Sequence, residues 1–93
     1  MRREVVLTPK FKRAFRKFVR HNKKLQKQIE DTIEQMQEDI FSTTLNTHKL
    51  IGNLEGLRAS ICGYDCRIVF SLEHNSAIEV IILLDIGRHD EVY

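Results

Sequence analysis

The sequence predicts an α+β domain: an N-terminal strand, a helical hairpin, then a three-stranded antiparallel meander forming a sheet packed on the two helices. Three observations carry that expectation. Apolar residues recur every three to four positions from Phe11 to Ile40, alternate every two from Leu57 to Leu72, and run almost unbroken from Ala77 to Ile86. The chain has 93 residues, 42% of them hydrophobic and only one a proline, which suits one core and not two, so residues 1–93 read as a single domain.

Each element has its own local reason. Glu4 to Leu7 is short and β-branched at its centre, and it runs into Thr8-Pro9, a capping residue followed by a proline suited to a first helical turn. Phe11, Ala14, Phe15, Phe18 and Val19 then form one stripe of a basic helix. After the joint His21-Asn22, a second stripe of Leu25, Ile29, Ile33, Met36 and Ile40 predicts a helix from about Lys23 to Asp39, antiparallel to the first. Phe41 to Glu55 reads as irregular.

The sheet strands follow from period two. Leu57, Ala59 and Ile61 alternate with Arg58, Ser60 and Cys62, and Cys66, Ile68, Phe70 and Leu72 alternate with Arg67, Val69 and Ser71. A two-residue turn at Gly63-Tyr64 is expected to pair Cys62 with Asp65, Ser60 with Arg67 and Arg58 with Val69. That register sets Arg58 and Arg67 on one face and keeps Arg67 away from Leu57, Ala59 and Ile61. Glu73 to Ser76 reads as a turn, Ala77 to Ile86 as a central strand covered on both faces, and Arg88 to Tyr93 as a tail without further helix.

Charge is divided along the chain. Residues 1–28 hold eleven Lys or Arg against the single acid Glu4, a net of +10, while residues 29–93 carry a net of −8. A polyanion or an acidic partner is expected on the basic side. No apolar run approaches the roughly 20 residues that span a bilayer, so a cytoplasmic, unprocessed chain with no membrane partner is expected. Cys62 and Cys66 are too few for a disulfide framework and lack the company of a zinc site. The expected register points them to opposite faces, so they read as reduced structural thiols, with no metal and no cofactor.

The polar residues of interest sit in two runs, Gly63-Tyr-Asp-Cys-Arg-Ile-Val-Phe70 and Ile86-Gly-Arg-His-Asp-Glu-Val-Tyr93. Together with His48-Lys-Leu-Ile-Gly52 and the order of elements, they resemble the RelE/ParE superfamily of bacterial type II toxins, most closely its YafQ-like mRNA interferase branch. The resemblance implies a metal-independent endoribonuclease that cuts mRNA on the ribosome, inhibits translation and is neutralised by a cognate antitoxin. It places His89 at a catalytic histidine position, His48 and Asp65 at positions used in the YafQ-like branch, and Arg58, Arg67 and Tyr93 at basic and aromatic positions of RelE-like members. Ile61, Ser60 and Arg88 depart from it, standing where relatives carry a second histidine, a lysine and a small residue. A ParE-like inhibitor of DNA gyrase without nuclease activity, or a decayed toxin that still binds its antitoxin, are the alternatives.

RNA cleavage needs a proton taken from the ribose 2′-hydroxyl, a stabilised phosphorane and a protonated leaving oxygen. Histidine titrates near neutrality and suits the proton steps, so His89, oriented by Asp65 or Asp90, is the expected acid or base. Arg58 and Arg67 are the expected phosphate fork, and Tyr93 a stacking or proton-transfer group. His48, Lys49 and Arg88, with Lys10, Arg13 and Lys17 of the first helix, are expected to bind the RNA backbone.

Overall fold

The computed structural model describes the backbone of residues 2–93 and the side chains of all of these but Asn75. The elements are β1 (Glu4–Leu7), α1 (Pro9–Phe18), α2 (Lys23–Glu38), β2 (His48–Lys49), β3 (Arg58–Ile61), β4 (Arg67–Asn75), β5 (Ile78–Gly87) and α3 (His89–Val92), with 3-10 turns at Thr43–Leu45 and Gly52–Leu54. The five strands lie in the order β1-β5-β4-β3-β2. β1 runs parallel to β5, and the other pairs are antiparallel.

Capping fixes the helical hairpin. The Thr8 hydroxyl accepts from the Phe11 N–H at 3.2 Å and donates to the Leu83 carbonyl at 2.8 Å, so one side chain starts α1 and ties it to β5. Asn22 caps α2 through the Leu25 N–H at 3.0 Å, and His21, with φ 61°, turns the chain between the helices. Phe11, Val19, Ile29 and Met36 then meet Cys62, Cys66, Ile68, Phe70, Ile81, Leu83 and Ile86 of the hairpin and β5 in one core. Each such large side chain stabilises the fold by roughly 1.5–3 kcal/mol when fully buried, so this layer between helices and sheet dominates the stability.

The mixed α+β architecture agrees with the sequence expectation, and five local features differ. His48–Lys49 adds an edge strand inside a segment read as irregular. β4 continues through Glu73, His74 and Asn75, which pair with Val80, Glu79 and Ile78, so the turn falls later, at Ser76 with φ 59°. The tail is not structureless but forms α3. β5 is an interior strand as expected, yet it is not covered on both faces: Ile81, Leu83 and Ile86 are buried while Val80, Ile82 and Leu84 are half-exposed.

The fifth difference is the β3–β4 register. The observed pairs are Arg58 with Phe70, Ala59 with Val69, Ser60 with Ile68 and Ile61 with Arg67, one residue away from the expected set. The connection is a three-residue loop, Gly63-Tyr64-Asp65, in which Gly63 (φ 89°) and Asp65 (φ 51°) are both left-handed. Ser60 and Cys62 therefore face the core, and Ile61 faces outward. Ser60 is tolerated there, fully buried, because its hydroxyl bonds Thr47 Oγ1 at 2.7 Å, and Thr47 in turn donates to the Ile40 carbonyl at 2.6 Å. The same register places Cys62 opposite Cys66, with Cα atoms 5.0 Å apart, and joins them in a disulfide, which corrects the expectation of free thiols on opposite faces.

Candidate functional site

On the face of the sheet turned away from α1 and α2, Ile61, Arg67 and Gly87 form one cross-strand row. The next row is His48, Ala59, Val69 and Asp85. α3 lies over Gly87: a Cβ on that residue would meet Val92 Cγ1 at 3.2 Å and Glu91 Cβ at 3.3 Å, so the absence of a side chain lets the helical turn sit down on the sheet. His89 and Tyr93 thereby come to the Arg67 end of the row.

Asp65 holds α3 in place from another strand connection. Its Oδ1 accepts the His89 N–H at 3.2 Å and its Oδ2 accepts Arg88 Nε at 3.0 Å. These contacts, the His89 N–H first and the Arg88 guanidinium next, hold the Asp65 carboxyl below its ordinary value of 3.8. Arg88 is raised in return, chiefly by its hydrogen bond to Asp65. Glu91 closes the turn by accepting the Arg88 N–H at 2.8 Å. Asp65 is thus a distant cap of the helical turn that carries His89, and Asp90 makes no comparable bond.

The His89 ring meets the Tyr93 ring edge to face, with centroids 4.5 Å apart and planes at 85°, a contact that orients both. Burial pushes the Tyr93 phenol up while the nearby Arg67 charge pulls it down. Arg67 itself is half-buried and gives one N–H to the Cys66 carbonyl at 3.1 Å, leaving the rest of its fork free for an anion.

The structure brings together His89, Tyr93, Arg67, Asp65 and Arg88, and it separates Arg58 from them. Arg58 shares its parity with Ser60 and Phe70, so it lies on the opposite face from Arg67, and the expected arginine pair does not form. Arg58 instead lines a groove of about 580 Å³ with Lys49, Leu50, Ile51 and Leu57 at the β2 edge. His48 does share the Arg67 face, its Nδ1 lying 2.9 Å from the Asn46 carbonyl. Three strand spacings, about 14 Å, separate it from β5, so His48 and His89 do not form a contacting pair.

The basic residues of α1 are divided. Lys10 lies 3.5 Å from Asp85, Arg13 is exposed, and Lys17 joins Arg88 in a groove between α1 and α3. Among the described residues, no group of three or more His, Cys, Asp or Glu comes together to hold a metal, and no helix is long and apolar enough to cross a membrane. Sequence reasoning missed the α3 turn and its Arg88–Asp65 link. The glutamate three residues after Arg88, at the position from which a side chain can reach back to a helix start, was the available signal.

No family model and no curated protein matches the chain. Solved structures do. YafQ from E. coli strain BL21(DE3) superposes with a TM-score of 0.79 at 11% identity, over 98% of each chain. A YoeB/ParE toxin from Agrobacterium tumefaciens gives 0.76 at 15% identity, over 92% of this chain and 98% of the other. The toxin–antitoxin complex of YoeB with YefM from Staphylococcus aureus gives 0.71 at 19% identity, over 96% and 99%. The matches are end to end and the sequences far apart, and what they share is architecture: the chain has the fold seen in YafQ and in the YoeB toxins.

Proposed function

We propose that the chain is the toxin of a type II toxin–antitoxin pair, an endoribonuclease that cuts mRNA on the ribosome and inhibits translation until a cognate antitoxin neutralises it. The observation that carries the reading is the meeting of His89, Tyr93 and Arg67 on the open face of the sheet, with Asp65 fixing the turn that bears the histidine. In this scheme the ribose O2′ attacks the adjacent phosphorus and the P–O5′ bond breaks, leaving a 2′,3′-cyclic phosphate and a 5′-hydroxyl. His89 exchanges protons with the reacting oxygens, and Arg67 stabilises the phosphorane charge. The raised Tyr93 phenol keeps its proton at neutral pH, so it serves as a hydrogen-bond donor and a stacking surface. His48 holds the strand from the β2 edge of the Arg67 face, Lys49 attracts phosphate from the Arg58 groove on the opposite face, and Lys10, Arg13, Lys17 and Arg88 do so along the α1–α3 edge. The crystallised complexes of YafQ with DinJ and YoeB with YefM support an antitoxin partner.

Primer extension on a reporter mRNA translated in a reconstituted system tests the reading. Cuts are expected with wild-type protein, to disappear when ribosomes are omitted, and to fall about 10²–10³-fold with Arg67→Ala, the loss typical of one well-aimed charge-stabilising donor. Intact mRNA together with arrested growth would point instead to gyrase or another protein target.

A further inference from the structure

Cys62 and Cys66 are the chain's only cysteines, and they close a disulfide ring around the loop that carries Asp65. Asp65 is the one side chain that accepts both the His89 N–H and Arg88 Nε. α3 is a single turn, too short to hold itself, so the placement of His89 depends on where that loop presents its carboxylate. Asp65 does so from a left-handed conformation, φ 51°, which a free loop visits reluctantly. Gly63, on the other side of the exposed tip residue Tyr64, is packed so closely against the Gln28 amide of α2 that a Cβ would collide with it. The ring therefore sits at the junction of helix, hairpin and site.

We propose that the Cys62–Cys66 pair is a redox-sensitive positioning element: the disulfide locks the loop so that Asp65 caps α3, and the dithiol releases it, loosening the turn that carries His89. The proposal rests on the reading of His89 as a reacting group. Oxidation consumes a low-molecular-weight disulfide such as oxidised glutathione. One thiolate attacks it and forms a mixed disulfide with loss of one reduced thiol; the second cysteine then displaces the other, so two electrons and two protons leave the protein for two reduced thiols. Both cysteines are 1% exposed, so exchange waits on opening of the hairpin tip.

Amide hydrogen exchange tests the idea without any nuclease assay. On reduction, the His89 amide is expected to exchange at least tenfold faster while the Ile81 and Leu83 amides of β5 keep their protection. Re-oxidation with glutathione disulfide should restore it, C62A/C66A should stay at the reduced level under both treatments, and D65N should exchange fast in either thiol state. In parallel, kcat for mRNA cleavage should fall with KM little changed. Equal His89 exchange in the two thiol states of the wild-type protein overturns the proposal. A thiol-dependent His89 amide with no cleavage in either state upholds the positioning element and removes the nuclease reading.

Discussion

The two faces of the sheet are built from the same strands and differ by a single residue of phase. On the helix side, Cys62, Cys66, Ile68 and Phe70 are buried to within 1% and sealed by α1 and α2. On the other side, the same strands bury Ala59 and Val69 but present Ile61 and Arg67, both half-exposed, with His48 exposed at one edge and α3 at the other. The first face gathers apolar area and sets stability; the second keeps charge where solvent and a polyanion can reach it. In a strand, neighbouring residues thus serve separate purposes, and a substitution should disturb one measurement or the other but not both.

The largest effect is expected on the sealed face. Phe70→Ala leaves a cavity beneath α1 and should lower unfolding free energy by about 3–5 kcal/mol in urea titrations. On the open face, His89→Ala should reduce cleavage about 10²–10⁴-fold with an unchanged urea midpoint and undiminished antitoxin binding; retained cleavage would remove His89 from the chemistry. Arg58→Ala should be milder. As a backbone contact away from Arg67, it is expected to weaken RNA binding and shallow the salt dependence by about 0.7 in log–log slope, with the rate on bound RNA preserved. A slower chemical step would return Arg58 to the reacting phosphate.

The smallest expected effect is electrostatic. Because the Asp65 carboxyl is held below its ordinary value of 3.8, the folded state resists protonation more than the unfolded chain does. Its contribution is full above that ordinary value and is lost as pH falls through the lowered one. The Asp65 carboxyl carbon resonance should therefore move only in the acid range below the normal carboxylate titration, and R88A should bring that movement back toward the ordinary value. A shift centred above pH 4 would assign α3 docking to another group.

Periodicity and capping residues made most of the scaffold legible. β1, both long helices, the strand order of the meander and the interior place of β5 follow from Thr8-Pro9, the Phe11–Val19 stripe and the apolar run to Ile86. The phase of β3 did not follow, because Ser60 and Cys62 look like outward residues. What makes them core residues is long-range: a hydroxyl partner at Thr47, thirteen positions away in sequence, and a bridge to Cys66. The loop length was hidden for a related reason, since a left-handed Asp65 is an uncommon choice that only its bonds to residues 88 and 89 repay. Within the site, Arg67, His89 and Tyr93 were legible as residue types, whereas the separation of Arg58 from Arg67 turned wholly on that phase.

The strand β5 contains an irregularity with a bearing on how chains of this shape can change length. Val69 pairs with Asp85 and Phe70 with Leu83, so Leu84 has no partner on β4. Its position coincides with the end of β1, whose last pair is Leu7 with Leu83. Removing Leu84 would leave every pairing on both sides as it is, and would alter only the bend by which β5 delivers Gly87 and α3 to the open face. Loss of this one residue would therefore be silent for the core and audible at the site, so a chain shorter by one residue within β5 is expected to keep the same fold.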